Sequence, residues 1–304
     1  MAQLMFSRRE LIGIASAAVF APQALTGATR NITWAMGAVT WVVRAGNRTV
    51  KWAEILPDIR DAGFEGFEAY TTPTLPVNDE NMNDLEKLAP QYKLRMSAIY
   101  WETDWHDPSK HEFILKDCHR FYGYLKRFGA NRLVIGPPEP NGNEKQCISN
   151  MAKIVTAVAK IGVEQYSMKT GIHPHINSLV ENPRQVDQLL GETDPKYFSF
   201  APDTSQLWMG GGDPVRIIEK YKERVIYLHY KDCHGYYRDV KNYMEYETEL
   251  GRGVVDFPAI HRILKSIGYK GWITIDIGIA RVSPLETGKV CRAYIDRVLN
   301  PIYA

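Results

Sequence analysis

The chain has few cysteines and sets them in no recognisable pattern. Cys118, Cys147, Cys233 and Cys291 stand far apart, with no Cys-x-x-Cys pair among them. That spacing argues against a cysteine zinc site and a disulfide framework, and small buried or half-buried thiols are expected instead. Charge of one sign is missing too: 37 Lys plus Arg face 35 Asp plus Glu, a net of +2. Without a dense basic stripe there is no electrostatic footprint for nucleic acid. The apolar run Leu11 to Ala21 falls well short of the ~20 residues that a membrane span requires. No glycine-rich dinucleotide turn follows the first strand-like segment, where Trp34-Ala35-Met36-Gly37-Ala38 stands. Gly210-Gly211-Gly212 lacks the Lys-Ser/Thr of a phosphate-binding loop and reads as a flexible loop leading to Asp213, a helix cap.

What is present is an ordinary globular composition, 304 residues of which 45% are hydrophobic, long enough for a sizeable core. The first residues stand apart. Ser7-Arg8-Arg9-Glu10-Leu11 precedes a short apolar run, then Pro22 and a small-residue stretch to Thr29. A basic segment before a short apolar one resembles an export signal, here of the twin-arginine type. Residues 1–30 are therefore set apart from the domain at 31–304, with cleavage expected near Ala28 and a periplasmic or otherwise exported product. If the segment is instead an amphipathic first helix, the protein stays in the cytoplasm.

From Asn31 onward strand-like and helix-like segments alternate. Strands are expected at Asn31–Trp34, near Glu68–Tyr70, and at Arg95–Tyr100, Arg132–Ile135, Lys169–Ile172, Phe198–Pro202, Val225–Leu228 and Trp272–Ile275. Helices are expected between them, as at Phe257–Ile267, where Ile260, Ile263, Leu264 and Ile267 form one stripe. Eight such alternations with no break in composition predict an α/β fold, a single (β/α)8 barrel.

Residues at the outgoing ends of barrel strands share one bowl. Those ends carry Trp34, Glu68, Trp101 with Glu102, Glu139, His173 with His175, Asp203, His229 with Lys231, and Asp276. Strands covered on both faces read apolar, so this gathering of ionisable groups points to a catalytic bowl. His173, Asp203, His229 and Asp276 form a candidate metal set. Mixed imidazole and carboxylate ligation suits Mn, Fe, Co or Zn better than Ca, with Mg also admitted. Lys231 follows His229 by two and shares its side, where it could stabilise an enolate or donate a proton. Glu68, Glu139 and His175 are candidate bases or positioning groups. Trp34, Trp101, Trp105 and Trp208 are either stacking platforms for a sugar ring or packing residues.

These segments resemble the xylose isomerase-like TIM-barrel superfamily of sugar phosphate isomerases and epimerases, and within it the inosose (2-keto-myo-inositol) dehydratases. The likeness runs through Gly63-Phe64-Glu65-Gly66-Phe67-Glu68, Gly171-Ile172-His173-Pro174-His175, Asp203-Thr204-Ser205-Gln206, and Gly212-Asp213-Pro214. It continues through His229-Tyr230-Lys231-Asp232, Leu250-Gly251-Arg252-Gly253-Val254-Val255-Asp256-Phe257 and Gly271-Trp272-Ile273-Thr274-Ile275-Asp276. The resemblance implies a divalent metal ion, often Mn or Co, at His173, Asp203, His229 and Asp276. Three positions depart from the family pattern. Asp276 replaces a glutamate and is one methylene shorter, and His173 stands where many members carry Glu. Gln206 replaces an imidazole expected near the substrate with an amide that cannot titrate.

The expected activity is proton abstraction beside a carbonyl of a keto-sugar, keto-glycoside or inosose, leading to isomerisation, epimerisation or elimination. The alternative is a non-catalytic exported carbohydrate-binding barrel. The expected partner is a small sugar or cyclitol, and a homo-oligomer is compatible with the sequence.

Overall fold

In the computed structural model the described residues are 31–235 and 243–303. Residues 1–30, the segment expected to be an export signal, lie outside them. Eight parallel strands form one sheet in the order β6-β5-β4-β3-β2-β1-β10-β7. They are β1 (Ile32–Gly37), β2 (Gly66–Tyr70), β3 (Arg95–Glu102), β4 (Arg132–Gly136), β5 (Lys169–Ile172), β6 (Phe198–Phe200), β7 (Leu228–Tyr230) and β10 (Gly271–Ile275). Two isolated parallel bridges, Phe200 to Val225 and Asp203 to His229, join β6 to β7 and close the barrel. Between β7 and β10 a short antiparallel ribbon forms from β8 (Asp232–Cys233) and β9 (Glu247–Thr248). No helix of the described residues is long and apolar enough to cross a membrane.

The crossover helices are α2 (Trp52–Asp61), α3 (Asp79–Leu88), α4 (His111–Arg127), α5 (Glu144–Ile161), α6 (Pro183–Glu192), α8 (Pro214–Lys220), α9 (Phe257–Ser266) and α10 (Pro284–Tyr294). Short polar side chains start many of them: Asn78, Asn143, Asn182, Asp213, Asp256 and Ser283 each accept a hydrogen bond from a first-turn amide. Two further helices, α1 (Val39–Ala45) and α7 (Thr204–Met209), lie in segments that read as loops in the sequence. In α1 the β-branched Val39, Thr40, Val42 and Val43 mask helical preference, and packing overrides it. The seventh strand starts three residues later and ends two residues later than the expected Val225–Leu228, and so takes in His229.

Alternation along the strands divides the apolar residues into two layers. Trp34, Met36, Phe67, Ile99, Trp101, Ile172, Leu228, Ile273 and Ile275 belong to the thick layer between barrel and helices. Ala98, Tyr100, Val134, Ala201, Ile226 and Tyr227 fill the barrel interior. Under the bowl, Ser97 Oγ meets Tyr227 Oη at 2.8 Å, and Tyr227 Oη also bonds Thr274 Oγ1. The β2–β3 register slips at Phe67–Glu68, a bulge-type irregularity that re-aims side chains next to the bowl.

The outer layer holds one buried imidazole. His261 stacks on Trp34 at 5.6 Å, meets the edge of Tyr303, and pairs its Nδ1 with Tyr230 Oη at 2.8 Å. Burial pushes its pKa from 6.5 down to about 3. The folded protein thus refuses a proton that the unfolded chain takes up below about pH 6.5. Its contribution to stability is present above that pH and is lost progressively as pH falls toward about 3, at about 1.4 kcal/mol per unit. Denaturant titrations at pH 7 and pH 5 should show wild type losing about 1–2 kcal/mol more than His261→Asn. Equal losses in the two proteins would contradict this assignment.

Candidate metal centre in the barrel mouth

Strand geometry delivers the site residues. Glu68 sits on β2 and His229 on β7, while His173 and Asp276 directly follow β5 and β10, and Asp203 comes three residues after the end of β6. Glu68, His173, Asp203, His229 and Lys231 are buried. Gly37, at the end of β1, leaves room for them: a Cβ there would lie 3.1 Å from Asp276 Oδ1, closer than most side-chain contacts allow.

His229 links two groups. Its Nε2 lies 2.7 Å from Glu68 Oε2 and its Nδ1 lies 2.9 Å from His173 Nδ1. Burial lowers the His229 pKa, but the carboxylates of Glu68, Asp276 and Asp203 outweigh it and leave the ring above its usual value. Burial, with His229, His175 and Lys231 nearby, holds His173 well below its usual value and therefore neutral. A proton on Nε2 aimed at Glu68 is the arrangement by which carboxylates orient metal-binding histidines. When neutral, His229 then turns its Nδ1 lone pair toward His173.

His173, Asp203 and Asp276 each offer a ligand atom, and those atoms all lie within 4.8 Å of one another. Asp203 is the most constrained. One oxygen, Oδ1, accepts the amide of Gln206 at 2.8 Å and caps α7, while Oδ2 is buried without a hydrogen-bond partner. Burial raises its pKa to about 6, against the pull of Lys231. For Asp276 burial also pushes upward, but Lys231 and His229 prevail and its pKa falls. An imidazole and two carboxylates, one of them with an oxygen that makes no hydrogen bond, fit a divalent cation by donor type.

Lys231 Nζ lies 3.1 Å from Asp276 Oδ2, 3.1 Å from Glu247 Oε1 and 3.6 Å from Asp203 Oδ2. Burial opposes its charge, but Asp276, Glu247 and Asp203 together raise its pKa well above the ordinary lysine value. Glu247 was not foreseen from the sequence. It lies on β9, within a stretch that reads as an aromatic loop, and only its acidity marks it. Its Oε2 accepts the Gly278 amide at 2.6 Å, and burial raises its pKa to about 7.

His173, Lys231, Glu247 and Asp276 border a partly open space of about 80 Å³, which Val39, Val42 and Val43 of α1 also line. His175 lines it, with Nδ1 2.7 Å from the carbonyl of Ile176 and Nε2 3.3 Å from Tyr243 Oη. Burial and Lys231 lower its pKa to about 4, so the ring is neutral. Donation from Nδ1 to that carbonyl leaves Nε2 as an acceptor. Tyr70, Tyr100 and Tyr243 are the aromatic faces of this space. Tyr70 follows Glu68 by two on β2, a period-two signal that the sequence already carried.

The tryptophans do not serve as the expected platforms. Trp34 faces outward on β1, fully buried, with its Nε1 donating to Asn300 Oδ1 at 3.1 Å. Trp101 also points to the helical layer, stacked on Phe121 at 4.2 Å and edge-on to the buried Trp105. Trp208, on α7, packs against the same outer layer. Strand parity causes the error: Trp34 and Trp101 occupy the phase opposite to the inward Glu68 and Tyr100. Gln206 does not line the space either. Its Oε1 accepts the amide of Ile176 at 3.1 Å and so fixes the loop bearing His175. Glu139 is exposed in a neighbouring open cleft of about 650 Å³, together with Glu102, and Tyr70 lines both that cleft and the smaller space.

Comparison with known proteins agrees with this architecture. The family described as Xylose isomerase-like TIM barrel matches residues 56–290. An inosose dehydratase of Bacillus licheniformis is 30% identical over 295 residues, covering 88% of this chain and 96% of the relative. For an inosose dehydratase of Lacticaseibacillus casei, 28% identical over 164 residues, the match spans 49% of this chain and about half, 54%, of the relative. Among solved structures, the IOLI protein, crystallised with a bound zinc atom, superimposes with a TM-score of 0.72 at 14% identity. That match covers 90% of this chain and 99% of the other.

Proposed function

The chain belongs to the xylose isomerase-like TIM barrel family, and we propose that it is a divalent-metal enzyme removing a proton beside a carbonyl of an unphosphorylated sugar or cyclitol. The observation that carries this reading is the meeting of His173, Asp203 and Asp276 within 4.8 Å in the barrel mouth, beside the Glu68–His229 pair. His173, Asp203, His229 and Asp276 would hold the metal, and the zinc atom in the IOLI structure supports a divalent ion of the Mn, Co, Mg or Zn group. When bound, the metal supplies Lewis acidity for a carbonyl oxygen.

The chain's own residues do the rest. Glu68 fixes the His229 ring. His175 lines the space with a neutral ring and takes the α-proton at Nε2, while Tyr243 and Tyr70 exclude water. From the resulting enolate, reprotonation gives isomerisation or epimerisation, and loss of a β-hydroxide gives dehydration. The dehydratase names of the relatives favour the second branch. Among the described residues lining the space, Lys231 is the single Lys or Arg, and three carboxylates already engage it. None of those described residues is left free to pair with a phosphate. It agrees with an exported protein acting on free keto-sugars, keto-glycosides or inososes, as the twin-arginine-like segment suggests.

Proton NMR in D₂O tests this with a panel of keto-sugars and inososes and added Mn²⁺. α-Proton exchange or dehydration should appear, vanish with chelator and return on metal addition. A panel that shows no exchange overturns the catalytic reading, and tight carbohydrate binding without exchange would establish the non-catalytic alternative.

A further inference from the structure

Lys231 is an unusual neighbour for a cation site, because its ammonium already sits among the acids. Asp203 spends Oδ1 on the Gln206 amide, so Oδ2 is the oxygen it has left for a metal. The same Oδ2 faces Lys231 Nζ at 3.6 Å, and Asp276 Oδ2 faces it at 3.1 Å. Glu247 differs from both. It stands outside the His173, Asp203 and Asp276 group, is anchored through Oε2 to the Gly278 amide, and turns Oε1 to the ammonium at 3.1 Å. Two of the lysine's three counter-ions are thus shared with the metal site, and one belongs to the lysine alone.

We propose that Lys231 is a resident counter-cation that competes with the divalent ion for Asp203 and Asp276, and that Glu247 is the carboxylate onto which it withdraws when the ion binds. Burying several carboxylates together is costly unless positive charge accompanies them. The tethered ammonium supplies one such charge, and the divalent ion replaces it on two of the three acids. A buried ammonium left between those acids would repel the incoming ion. Glu247 gives it a place to remain paired. The pair therefore sets the affinity of the site and limits occupancy by weakly bound ions. This inference rests on the metal reading above and refines it.

The test is calorimetric titration of Mn²⁺ into the chelator-stripped full chain, with Co²⁺ visible absorption as a second report on ligation. Four proteins are compared: wild type, Lys231→Met, Glu247→Gln and the double variant. Circular dichroism confirms that each is folded. Lys231→Met is expected to bind Mn²⁺ about tenfold tighter or more, and Glu247→Gln about tenfold weaker. Simple loss of one charge would give the same two signs, so the double variant decides. With the lysine gone, Glu247→Gln should change affinity less than about threefold. An undiminished tenfold drop in that background overturns the proposal, as does unchanged or weaker binding by Lys231→Met. Should Lys231→Met not fold, Lys231→Gln takes its place in both single and double variants under the same criteria. If wild type binds no Mn²⁺ and the lysine variants do, the competition is upheld. If none of the four binds Mn²⁺ or Co²⁺, the metal reading itself fails, whereas binding that ignores Lys231 defeats this inference alone.

Discussion

Asp203→Asn should purify as a folded protein with less than about a tenth of the wild-type metal content and no detectable proton exchange. Asparagine keeps an oxygen to accept the Gln206 amide, so the cap on α7 survives and the loop after β6 keeps its course. The second corner changes from an anionic oxygen to an amide, which neither carries charge nor ligates well. Losing one anionic ligand from a set of four is expected to cost about 10³-fold or more in turnover, because the metal's Lewis acidity is worth several kcal/mol. Elemental analysis and the D₂O assay read the two effects separately. His229→Ala should also lose metal. If both variants retain a full complement of metal, the ligand assignment is wrong.

The largest loss of stability is expected at Asp232, which performs no chemistry. It is fully buried, and its carboxylate accepts the amides of Cys233 at 2.9 Å, Gly251 at 3.0 Å, Gly253 at 2.9 Å and Val255 at 3.1 Å. Burial raises its pKa, and the four converging N–H groups counter only part of that rise. Gly253 is required for this approach: a Cβ there would lie 2.3 Å from Asp232 Oδ1 and 2.2 Å from the carbonyl of Cys233. Asp232→Ala strands those amides in the interior. At about 1–3 kcal/mol for each unsatisfied group, with partial relaxation, the loss should be about 4 kcal/mol, or roughly 10 °C in Tm. Asp232→Asn, keeping one accepting oxygen, should fall between. A change below about 2 °C in Asp232→Ala would mean that the loop finds other partners for its amides.

The barrel was legible because its evidence is periodic. Apolar runs alternate with helical stripes from unit to unit, and helix-starting Asn, Asp and Ser residues recur in most of them. His229 and Lys231 share a side because alternation alone requires it, and the structure places both inward. Trp34 and Trp101 were misplaced for the same reason in reverse: chemical type suggested a sugar platform while strand phase placed each ring under the helices. Glu247 was invisible because no period governs the ribbon that carries it. Asp232 lies within one of the motifs, yet its role is not written there, since three of its four backbone partners are about twenty residues away and leave no mark on side-chain patterning. Gln206 illustrates a third limit. An amide where an imidazole is expected suggested altered chemistry, yet it holds a neighbouring loop through one backbone amide.

The joint between β6 and β7 is the place where the cylinder is held by the fewest backbone links, two isolated bridges rather than a continuous ladder. One of those links is Asp203 to His229, so the proposed ligands sit on opposite lips of the gap. A cation gripped by both would act as a clasp across the split in a barrel stave. Storage life, resistance to proteases and ion content would then rise and fall together, and a preparation stripped by chelator would loosen first along that line.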